Sequence, residues 1–209
     1  MEAIELRPVG EDERREVASI MEGFGPVLAD ITLVFIDKDK AWELYGVKVD
    51  KAKAVAAEGG GYMLLVVSPD KLSIWRELAA INALNDIEAI AVWARPEYIV
   101  GELAELLSMA LYRRVVDLYI ARRDVQLLAS TFNPQDVPIE ADELKRSLIY
   151  TVGLDVTISI AVAGFTSLAE ELYLRAKRTP IYDIYTRFRN FVIKNFKFEY
   201  IYNYLNLFI

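Results

Sequence analysis

Residues 31–36 read Ile31-Thr32-Leu33-Val34-Phe35-Ile36, and Asp37-Lys38-Asp39 stands directly behind them. An uncharged run rich in β-branched side chains suits a strand buried on both faces, not the alternation of a half-wet strand. Two further runs of this kind occupy residues 62–67 and 87–93. Helix-like segments around 40–58 and 69–85 separate the three, and Ser68-Pro69 offers a cap and first-turn pair for the second segment. Strand alternating with helix predicts a parallel sheet. Upstream, residues 3–8 can add a short strand. Gly10-Glu11-Asp12-Glu13 then opens a helix with acids where its dipole favours them, and Gly25-Pro26 stops it. Gly59-Gly60-Gly61 precedes a strand instead of following one, so it reads as a turn and not as a phosphate loop.

From Pro96 onward the pattern is mostly helical. One long helix is expected over 97–132, broken by Asn133-Pro134; others are expected over 140–163 and 167–178, with a restart at Thr179-Pro180 running to about Lys194. The fold class expected is α/β (or α+β): a small, parallel, three- to four-stranded sheet with flanking helices, then a mostly helical C-terminal half. The organisation expected is an α/β core over 1–132 and a helical region over 133–209 packing on it. Residues 147–165 approach membrane-spanning length, but Asp155 near the middle would be costly in lipid, so this stretch reads as a buried helix.

The 209 residues are 54% apolar, with a formal charge of −7, and include neither histidine nor cysteine. The apolar fraction is ample for a core. Absence of imidazole and thiol excludes Ser-His-Asp and cysteine nucleophiles, disulfides and Cys/His zinc clusters. Absence of cysteine fits a cytoplasmic protein. Many Glu, Lys, Arg, Ile, Val and Tyr beside few Met give a thermophile-like composition. Charge is uneven: residues 1–37 hold nine acids and three bases, whereas 166–209 hold four acids and seven bases. Net negative charge disfavours nucleic acid, except through that basic C-terminal region.

Candidate sites follow from placement. If the sheet is parallel, Asp37, Asp39 and Asp70 (and Glu97) gather at the carboxyl ends of its strands, where α/β sheets hold ligands. Clustered carboxylates there would suit Mg²⁺ or Mn²⁺, with Lys38 or Lys71 near a phosphate; otherwise they are the polar turns and acidic helix starts that any strand end needs, and no cofactor is required. Asp155 on an apolar helix demands a partner, for which the pairs Arg113-Arg114 and Arg122-Arg123 are available; its other reading is a pocket acid.

Gly101-Glu102-Leu103-Ala104-Glu105, after an apolar strand and a turn, resembles the helix of zincin metallopeptidases, whose His-Glu-x-x-His sets two ligands one turn apart beside a glutamate base. The resemblance implies the general-base position for Glu102 and ligand positions for Gly101 and Glu105. Since Gly101 has no ligand atom and the chain has no histidine, it implies an inactive, zincin-like protein.

The C-terminal stretch is crowded with rings among bases. Phe196, Phe198, Tyr200, Tyr202 and Tyr204 alternate as in a strand, while Phe196, Tyr200, Tyr204 and Phe208 also share a helical face. With Leu205 and Ile209 they form the expected partner-binding set, since such rings dominate core and interface burial. The function expected is therefore a non-catalytic structural or interaction module that oligomerises or docks a protein partner, without a membrane. The alternative is a Mg- or Mn-dependent phosphate-handling protein.

Overall fold

The structure, a computed structural model, describes residues 3–85, 101–134, 143–176 and 181–197 together with Tyr204. The chain divides into two compact units, Met1–Asn85 and Asp86–Ile209. This division falls well ahead of Asn133-Pro134, and the helix beginning at Glu102 lies in the second unit. The fold class is α/β: an open sheet with flanking helices, then a mostly helical remainder.

Unit 1 runs β1 (Ala3–Glu5), α1 (Glu11–Phe24), β2 (Ile31–Phe35), α2 (Lys38–Tyr45), β3 (Ala52–Ala56), β4 (Tyr62–Val66) and α3 (Lys71–Asn85). The strand order is β1-β2-β4-β3. β1 and β4 flank β2 in parallel, with Leu33 opposite Leu64 and Phe35 opposite Val66. β3 is antiparallel to β4.

The helix expected over 40–58 is therefore corrected. It ends at Gly46, which takes the left-handed conformation (φ 66°) and bonds back to Trp42 O. The Ala- and Lys-rich segment that follows favours helix by propensity, but pairing with β4 overrides that preference. The cap of α3 is Asp70, whose Oδ1 accepts the Ser73 N–H at 2.9 Å, and not Ser68. The run at 87–93 and Glu97 lie outside the described residues.

On one face of the sheet Val34, Ile36 and Leu65 pack with Ala41 of α2 and Val49. α3 crosses β3 and β4 and packs against α1. There the Trp75 ring meets Phe24 edge-on at 5.7 Å, and its indole N–H donates to Ile20 O at 2.8 Å. Buried Asn82 ties the loop after α1 by accepting the Leu28 N–H at 2.7 Å and donating to Pro26 O.

Unit 2 contains α4 (Glu102–Ala121), α5 (Val125–Ala129), α6 (Leu144–Leu154), α7 (Val156–Val162), α8 (Thr166–Arg175) and α9 (Tyr182–Lys194). Within the described residues the long helix expected over 97–132 is interrupted after Ala121, and Asp124 restarts it by accepting the Leu127 N–H. The helix expected over 140–163 is two helices meeting at Asp155. α4 packs along both α6 and α7, with Gly153 against Ala110 and Ser159 Oγ donating to Arg114 O at 2.7 Å. Leu107, Leu111, Leu148, Val152 and Ile158 form the core together with Tyr185, Phe188 and Val192 of α9. Among the described residues no helix is long and apolar enough to cross a membrane.

Gly59, Gly60 and Gly61 make the turn between β3 and β4, all at positive φ. Gly61 is the tightest, because a Cβ there would lie 2.7 Å from Asp30 O. Gly61→Ala is expected to destabilise unit 1 by about 1–3 kcal/mol, read as a lower urea midpoint; Gly59→Ala, with open space around it, carries only the backbone part of that cost.

Candidate functional site

The densest arrangement of polar side chains in the described interior surrounds Asp155. This residue ends α6 and begins α7, and its Oδ1 accepts the Thr157 N–H at 2.9 Å, an N-cap bond. The Thr157 hydroxyl donates to the same oxygen, and the Tyr185 hydroxyl donates to Oδ2. Arg189 completes the group: its Nε lies 3.2 Å from Oδ2, and its Nη2 donates to Thr157 Oγ1 at 2.9 Å. The guanidinium also lies 4.1 Å from the centre of the Tyr173 ring, a cation–π contact. Tyr173 in turn bonds Thr186 and stacks on Tyr182.

Both side chains of the ion pair are 2% exposed. Burial, then the charge of Asp155, push the Tyr185 hydroxyl well above its ordinary range, so it stays a donor at any working pH. Burial likewise raises Tyr173. Two helix ends, α8 and α9 are thus tied by one carboxylate whose charge is matched inside the protein.

Sequence reasoning identified Asp155 as needing a partner but named the wrong candidates. Arg114 instead bonds Asp117 at 2.7 Å, a second buried pair, leaving its Nε and Nη1 without acceptors. Arg123 donates to the Tyr119 carbonyl. The missed partners were Tyr185 and Arg189. Their signal was the i, i+4 spacing that puts both on the apolar face of α9 beside Phe188 and Val192. Asp155-Val156-Thr157 was likewise legible as a helix start. Burial of Tyr185, Phe188 and Arg189 takes them away from any nucleic-acid strand.

The carboxyl end of the unit 1 sheet carries alternating charge. Lys38 bonds Asp50 at 2.7 Å and Lys51 bonds Asp70 at 2.8 Å. Arg7 reaches across to Val67 O at 2.9 Å, pairs with Glu13 and lies over the Phe35 ring. Its guanidinium pKa is raised first by the hydrogen bond to Glu13 and last, among the causes, by the charge of Asp37. Asp37 precedes α2 and Asp39 lies exposed in its first turn. Asp37 and Asp39 share the start of α2, whereas Asp70 caps α3 and is paired with Lys51. Among the described residues no group of three or more acids is arranged to hold a metal ion.

Glu102 opens α4 and receives Arg146 through two bonds of 2.8 and 2.9 Å; that contact lowers its pKa. Glu105 is exposed one turn on, and Gly101 before them has φ 81°. Of the expected partner-binding set, Tyr204 is fully buried, with its hydroxyl donating to Asn195 O, and Phe196 packs half-buried against the same core. Phe198, Tyr200, Tyr202, Leu205, Phe208 and Ile209 lie outside the described residues. Comparison with protein-family models, with curated proteins and with solved structures finds no match.

Two outcomes are expected. Asp155→Ala takes from buried Arg189 its hydrogen-bonded carboxylate and leaves it Glu170, 3.7 Å from Nη1, which costs about 3 kcal/mol, whereas Tyr185→Phe costs about 1–3 kcal/mol; chemical denaturation measures both. At Asp70, burial pushes the pKa up but the bonds from Lys51 and Ser73 outweigh it and hold it at about 2, below the ordinary 3.8. A carboxylate depressed in this way stabilises the fold above pH 3.8, and that contribution disappears as pH falls through about 2. Asp70→Asn should therefore flatten the acid limb of stability between those values.

Proposed function

We propose that this protein acts by binding and not by bond chemistry: a structural or interaction module that oligomerises or docks a protein through its C-terminal helical unit. The observation that carries this reading is on α8 and α9. Their inner faces are pinned by the Asp155 group, while Leu174 and Ile184 point outward, 51% and 41% exposed. Large aliphatic side chains held outward on a rigid scaffold lose little entropy when a partner covers them. Phe165, just ahead of α8, adds a ring of similar exposure. The contact surface assigned is therefore these helical faces, since Tyr204 and Phe196 serve the unit's own core. A cysteine-free chain supports a cytoplasmic setting for such a module.

Light scattering coupled to size exclusion tests this. The full chain is expected to form a concentration-dependent oligomer, or to bind a partner, and Leu174→Glu with Ile184→Glu should abolish it without lowering the melting temperature. An unaltered assembly in that double variant would refute the assignment. The alternative of an ion among Asp37, Asp39 and Asp70 draws support only from their position after β2 and β4. Millimolar Mg²⁺ or Mn²⁺ should raise the melting temperature if it holds and leave it unchanged if it does not.

A further inference from the structure

We draw no further inference here: the strongest candidate, the buried side-chain cluster of Arg114 and Asp117 on α4, leaves Arg114 Nε and Nη1 without acceptors among the described residues, and nothing in the structure shows what ligand would meet them.

Discussion

A carboxylate removed from water must meet opposite charge and hydrogen-bond donors, or the fold that buries it will not persist. Asp155 imposes that requirement on the helical unit. It sits where an apolar stretch of near-membrane length would otherwise run straight, and its N-cap bond to Thr157 turns that stretch into two helices. Tyr185 and Arg189 answer from α9, and Tyr173 of α8 covers the guanidinium. Four helices, α6 to α9, are thereby tied at one point. The outward faces of α8 and α9 inherit their rigidity from it.

Unit 1 solves a different problem, that of covering a small sheet. Its centre was legible because Val34, Phe35, Leu64 and Leu65 fall in short uncharged runs bounded by turn residues, a length that favours a buried strand over a helix. β3 was not legible. Ala52-Lys53-Ala54-Val55-Ala56 carries helix formers in a weak alternation, and only the neighbouring β4, through long-range pairing, makes it a strand. Propensity acts within a turn of helix, whereas strand pairing depends on residues far along the chain. The same limit explains the break after Ala121: Asp124 is recognisable as a cap only once the chain is known to turn there.

The candidate sites divide along that line too. That Asp155 needed a partner followed from chemistry alone; that the partner was Arg189, thirty-four residues away, required the fold. Asp37, Asp39 and Asp70 do stand at strand ends, but only geometry shows Lys38, Lys51 and Arg7 interleaved among the acids of that edge. Glu102 likewise reads as a surface ion pair once Arg146 is seen against it. Of the C-terminal rings, the described members Tyr204 and Phe196 pack on the interior, while the rest of the expected contact set lies outside the described residues.

The Asp155 group also constrains how this chain can change over generations. Losing Asp155 or Arg189 deprives the other of its buried charge partner, while exchanging the whole set for well-packed apolar side chains is energetically permissible. Drift at these four positions should therefore be concerted: descendants keep the quartet or surrender it together. A pattern of joint substitution at 155, 157, 185 and 189 is thus a fingerprint by which distant kin of this protein can be traced when overall resemblance has faded.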